Sequence, residues 1–204
     1  MHTRKMISLL FIFFCSQISF AQFNTQKAYT DSIIAYQKQY VATHEVVKGK
    51  DRKYFKFYSP APAYYVLASF EKINDSSTVT IKTSGKKIPQ KYFLRYGKLR
   101  FVIDQKVQEL TIFQSKDLMN NPVYKEYLFI PFTDSTSGKD TYGSGRYIDL
   151  QTGDIKNGLV VLDFNKAYNP YCAYSDNYNC PIPPKENALK VAIKAGEKVF
   201  GKRH

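Results

Sequence analysis

The sequence contains no tryptophan, three histidines and three cysteines, and its 17 acidic residues face 30 basic ones. Each shortage excludes a class of chemistry. A zinc site needs four ligands, and once a leader carrying Cys15 is removed only His44 and His204 stand beside Cys172 and Cys180, so neither metal nor cofactor is expected. Ser144 of TYGSGRY (Thr141 to Tyr147) lacks the spacing of a nucleophile elbow and has no histidine nearby to serve as base, which removes serine hydrolase chemistry. No apolar run approaches the ~20 residues that cross a hydrocarbon core, so no membrane span is expected.

What is present begins with a basic start at Arg4 and Lys5, an apolar core from Met6 to Phe14 and a small-residue exit at Ser19-Phe20-Ala21. This is the order of a cleavable export signal, with the mature chain beginning near Gln22 in the periplasm or outside the cell. Phe13 and Phe14 before Cys15 argue against a lipid anchor at that cysteine. The formal charge of +13 favours anionic neighbours, which for an exported chain means envelope components or small molecules rather than nucleic acid. The basic residues are scattered, the tightest group being Lys48, Lys50, Arg52 and Lys53, so the plainer reading is a solvated basic surface.

No repeat or low-complexity tract divides the chain. The expected organisation is a signal over 1–21, a helix and connection over 22–48, and one β-rich domain over 49–204. Asn24 is placed to cap a helix whose stripe is Tyr29, Ile33, Tyr36 and Tyr40. Thereafter β-branched and aromatic residues alternate with polar ones between turn signals. Strands are expected at Tyr54 to Tyr58, Tyr64 to Phe70, Thr78 to Lys82, Tyr92 to Tyr96, Lys98 to Ile103, Glu109 to Gln114, Tyr127 to Phe132, Arg146 to Leu150, Leu159 to Phe164 and Leu189 to Lys194. Ser59-Pro60-Ala61-Pro62 bars a continuous helix, and Asn74-Asp75, Ser84-Gly85, Thr152-Gly153-Asp154 and Lys156-Asn157-Gly158 supply turns. The fold class is mainly β: an antiparallel sandwich or partly open barrel of about ten short strands, with the N-terminal helix on one face or across an open end.

Three blocks, PFTDSTSGKDTYGSGRYIDL (Pro131 to Leu150), DFNKAYNPYCAYSDNYNCPIPP (Asp163 to Pro184) and VAIKAGEK (Val191 to Lys198), resemble the family called domain of unknown function 1684. From Arg52 to Ser115 the likeness is a general strand pattern with a YGKL turn at Tyr96 to Leu99. The resemblance implies a compact β-rich domain and brings no reaction with it.

Cys172 and Cys180 flank a seven-residue polar loop, and in an oxidising compartment such a pair most simply forms a disulfide. Separate buried thiols are the alternative. Gly143 and Gly145 beside Arg146 suggest a phosphate cradle, but RYIDL reads as a strand where a phosphate loop needs a helix. The densest polar and aromatic stretch, DFNKAYNPYCAY, places Asp163 and Asn165 on one face of an extended chain, followed by Tyr168, Asn169, Tyr171 and Tyr174. Asp163, Asn165, Tyr168 and Asn169, with Tyr142, Arg146, Asp149 and Glu186, form the candidate ligand site: a tyrosine-walled pocket for a polar or anionic small molecule or envelope component, with Arg146 as anion partner. The blander account is that these groups tie down an irregular connection. A carboxylate-dependent hydrolase drawing on Asp149, Asp163, Glu186 and Glu197 is the rival, although no spacing selects a pair. A third reading is an interaction module that works through its basic surface. The balance leans away from catalysis.

Overall fold

A computed structural model describes residues 25–84 and 90–202. The expected export signal with Cys15, the expected Asn24 cap and Gly85 lie outside the described residues. Helix α1 occupies residues 25–43. Its stripe is the expected one: Ile33 is buried, and Tyr29, Tyr36 and Tyr40 turn toward the rest of the domain. Among the described residues no helix is long and apolar enough to cross a membrane.

Among the described residues seven strands follow, fewer than the ten expected: β1 Tyr65–Lys72, β2 Thr78–Lys82, β3 Gln90–Ile103, β4 Lys106–Ser115, β5 Tyr127–Phe132, β6 Arg146–Gln151 and β7 Leu159–Asp163. They pair antiparallel in the order β6-β5-β4-β3-β1-β7, with β2 joining the first half of β3, and the sheet curls into a half-barrel. The turn at Asn157 and Gly158, both at positive φ, feeds β7 as its sequence suggests.

Three expectations fail, each for a physical reason. Tyr96 to Leu99 is no turn. β3 runs through it with a bulge between Arg95 and Gly97, and a Cβ on Gly97 would lie 2.2 Å from the Phe70 ring, so close approach explains this glycine. Tyr54 to Tyr58 is not a strand. Gly49–Tyr54 is a 3₁₀ turn, Phe57 bridges Glu197, and Phe55 packs against Tyr40, Tyr174 and Phe200. Leu189 to Lys194 is no strand either, although its alternation correctly marks burial. Leu189, Val191 and Ile193 fill the half-barrel, but their backbone is held by other groups: the Leu189 N–H donates to the Thr133 carbonyl, that of Ile193 to the Asp134 carboxylate, and the Ile193 carbonyl accepts from Arg146.

The concave side holds an aliphatic core that includes Leu99, Leu110, Ile112, Leu128, Ile130 and Leu162. Its one charged pair is Arg146 with Asp134, 2.9 Å apart and both fully buried. Asn187 plugs the split between β4 and β5, its amide bonding Thr111 N–H and the carbonyls of Thr111 and Pro131 at 2.8 to 2.9 Å. Proline has no N–H for a ladder, so a side-chain amide does that work here. The convex side, at β2, the start of β3, the end of β4, β5 and β6, carries a second cluster of Ile81, Phe93, Phe113, Phe129 and Tyr147. The edge strands are β6 and β7, and the chain five residues beyond β7 turns back to β6, where Tyr147 and Tyr168 exchange backbone hydrogen bonds of 2.9 and 3.1 Å.

Candidate functional site

Period-two alternation on β5 and β6 divides the chemistry between the two sides. Leu128, Ile130, Ile148 and Leu150 point into the half-barrel, whereas Tyr127, Phe129, Tyr147 and Asp149 point out. Over this outer face lie α1 and the loop closed by the Cys172–Cys180 disulfide, whose Cα atoms are 6.1 Å apart. Between them is a cavity of about 650 Å³. Seven tyrosines line it: Tyr36 and Tyr40 from α1, Tyr127 and Tyr147 from the sheet, and Tyr168, Tyr171 and Tyr178 from the loops. A second hollow of about 590 Å³ shares Tyr36, Asp149 and Tyr168 with it.

Asp149 stands at the floor. Its Oδ1 accepts from Tyr127 at 2.7 Å and from Tyr168 at 2.8 Å, and Oδ2 accepts from Tyr168 at 2.9 Å. Protein surrounds the carboxylate on its sides while solvent reaches it through the cavity, so the residue is exposed yet partly desolvated. That desolvation pushes its pKa up against the pull of the two phenol hydrogen bonds. Burial and nearby carboxylates push Tyr36 and Tyr171 up to about 12, and Tyr40, Tyr127, Tyr147 and Tyr168 move in the same direction. These six phenols are therefore neutral at any physiological pH.

Behind Tyr40 lies Glu197, fully buried. Its carboxylate accepts from the Tyr174 hydroxyl at 2.7 and 2.8 Å, from the Asn169 N–H at 2.9 Å and from Tyr40 at 3.3 Å. Burial outweighs these bonds and raises its pKa to about 7. His44, at the end of α1, accepts the Val47 N–H on Nδ1 at 3.0 Å. Burial, with Lys48 next in weight, lowers its pKa to about 4, so it is neutral with its proton on Nε2.

The eight residues singled out in the sequence do not converge on one place. Asp149 and Tyr168 meet at the cavity floor. Arg146 does not reach it. Being even-numbered on β6, it points inward, where its guanidinium donates to Asp134 and to the carbonyls of Ile193, Ala195 and Glu197. Asp163 and Asn165 form a capping knot, in which Asp163 accepts from Tyr29 and the Asn165 N–H while Asn165 clamps both backbone groups of Ala61. Asn169 serves Glu197 and the Lys198 carbonyl. Tyr142 donates to the Cys172 carbonyl at 3.3 Å. Glu186 pairs with Arg95 and reaches Thr111, away from the cavity. The wall residues Tyr36, Tyr127 and Phe129 were legible only as core or helix stripe. The available signal was YLFIPF, apolar at every position, which requires cover on both faces of the strand.

The model of the family described as "Protein of unknown function (DUF1684)" matches residues 50–198. Among solved structures, the chain is similar to the solution NMR structure of an uncharacterized protein from Haloarcula marismortui, with 27% identity over 86% of this chain and 96% of that one, and a TM-score of 0.63. No curated protein matches.

Proposed function

We propose, for a chain that belongs to the DUF1684 family, a non-catalytic role: an exported domain that binds a polar small molecule or envelope component in the tyrosine-walled cavity. The observation that carries this reading is the cavity itself, about 650 Å³ and lined by aromatic rings around one carboxylate, Asp149. Its size and its balance of apolar wall to few polar groups are those of small-molecule sites. The disulfide is compatible with export. It holds the loop that forms one side of the cavity, since Tyr178, Cys180 and Pro181 all line it.

The hydrolase reading has less to draw on. Of its four acids, Asp163 is used in capping, Glu186 in an ion pair and Glu197 in a buried cluster, which leaves Asp149 as the one member of that set lining this cavity. An anion is likewise a poor occupant, because Arg146 points away from the cavity.

Native mass spectrometry of the purified protein tests the proposal. A noncovalent adduct is expected, and it should be lost when Asp149→Leu removes the polar floor. If no adduct appears and no compound from a set of polar fragments shifts the NMR signals of Tyr36, Tyr127 or Tyr168, the cavity is not a binding site.

A further inference from the structure

Hydrogen-bond accounting around the cavity narrows what it can hold. A phenol has one proton to give, and five wall tyrosines have already given theirs to protein acceptors. Tyr127 and Tyr168 donate to Asp149, Tyr147 to the Pro181 carbonyl, Tyr171 to Glu45, and Tyr40 toward Tyr174 and Glu197. That leaves Tyr36, Tyr178 and Ser115 as the lining hydroxyls with no such commitment among the described residues, beside the side-chain amide of Asn179 and the amine of Lys91. His44 also lines the cavity, but its Nε2 proton is buried out of a ligand's reach. What faces the occupant is mostly lone pairs, ring faces and a carboxylate.

The charges agree with this count. In a chain of formal charge +13, the carboxylates lining the cavity are Asp149, Glu45 and Asp117, and the only amine is Lys91. No basic side chain forms an ion pair with Asp149 among the described residues, and its only hydrogen-bond donors are two neutral phenols. Lys156 and Lys166 line the neighbouring hollow, Lys166 with its ammonium 5.6 Å from the Tyr36 ring centroid, but neither pairs with the carboxylate, which on the cavity side meets only neutral donors, aromatic rings and solvent. Tyrosine ring faces carry negative potential and attract cations, most strongly where water is excluded.

We infer that the cavity is a receptor for an organic cation: an alkylammonium group held against Asp149 within the tyrosine rings, with the rest of the ligand filling the remaining volume. The inference rests on the binding role proposed above and adds the chemical class. An ammonium supplies the positive charge that the floor lacks and asks for no donor in return. A sugar needs donors as well as acceptors, and an anion would meet lone pairs on nearly every side.

The test uses choline as probe, followed by NMR on the purified protein, with the neutral carbon isostere 3,3-dimethylbutan-1-ol, N-acetylglucosamine and inorganic phosphate as comparisons. Choline should shift the signals of Tyr36, Tyr127 and Tyr168, and the isostere should bind at least about tenfold more weakly because it keeps the shape and loses the charge. Asp149→Asn, which keeps a carbonyl oxygen for Tyr127 and Tyr168, should weaken choline by a similar factor. Tyr36→Leu removes a ring face without taking a hydrogen bond from the fold, and should weaken choline about threefold or more, so the inference stays testable if the first variant misfolds. Equal binding of choline and its isostere overturns the cation assignment. So does a sugar or phosphate that moves the cavity signals while choline does not, although the cavity would then stand as a binding site. If none of the four probes moves those signals, the assignment and the binding role fall together.

Discussion

The two sides of the half-barrel solve the same packing problem with different residues. The concave side is filled by leucine, isoleucine, valine and phenylalanine that interdigitate and close. The convex side beneath α1 is built largely of tyrosine and phenylalanine and stays open around a cavity. An aliphatic side chain is free to move toward a void, and collapse gains dispersion contacts. A phenol whose hydroxyl is bonded to a carboxylate or carbonyl is held at both ends, and filling the void would break that bond. The open side is thus held open by hydrogen bonds, and the closed side needs almost none.

The exception on the closed side offers the largest effect. Arg146→Ala would leave Asp134 buried without its partner and strip the donors from the carbonyls of Ile193, Ala195 and Glu197. Urea denaturation should show a loss of about 3–5 kcal/mol. A loss below about 1 kcal/mol would mean that the aliphatic packing carries that side alone.

On the open side, Glu197→Gln tests the carboxyl behind the wall. With a folded pKa of about 7 against the ordinary 4.5, the folded protein binds more protons than the unfolded chain between those values, so this group makes stability fall as pH rises through that window. His44 acts in reverse. Its pKa of about 4, against the ordinary 6.5, makes stability rise with pH between the two. The wild-type profile should therefore be flattened. The variant, freed of the Glu197 penalty, should gain on it by up to about 3 kcal/mol as pH climbs from 4.5 to 7, measured by thermal or urea unfolding across that range. A gap that does not change with pH would show that Glu197 does not titrate there.

A smaller effect sharpens the comparison at the cavity's rim. Cys180→Ser opens a ring whose cysteines are eight positions apart, which should cost about 2.5 kcal/mol by the chain-entropy relation. The loss should be confined to the open side. Hydrogen exchange at Leu110, Ile112 and Leu128 should follow only the global change, while the amides between residues 171 and 181 exchange faster.

Much of the closed side was legible from alternation. β2 and β5 have the bounds that the pattern predicts, and the stripe of α1 is as read. What misled was alternation used for something other than a ladder. Leu189, Val191 and Ile193 alternate because every second residue enters the core, but whether Arg146 or a neighbouring strand holds their carbonyls is a fact of tertiary structure with no local trace. Gly97 shows the converse error, since a glycine required by the Phe70 ring on the neighbouring strand β1 looks the same in sequence as a glycine in a turn. Of the eight sequence candidates, Asp149 and Tyr168 stand at the cavity, Tyr168 within the dense polar and aromatic stretch and Asp149 outside it. Arg146 was assigned to the wrong side of the sheet, although its register two residues before Ile148 places it inward.

The bridge between Tyr147 and Tyr168 joins β6 to the chain five residues beyond β7, and the rings of the same two residues stand in the cavity wall. In the backbone that seam is one residue pair long, two hydrogen bonds reinforced by the Tyr168 hydroxyl on Asp149 of β6, so few bonds oppose a breathing motion there. An occupant gripping both rings would act as a rivet across that seam. Filling the cavity and fastening the barrel would then be a single event, with the two tyrosine amides as its natural gauge.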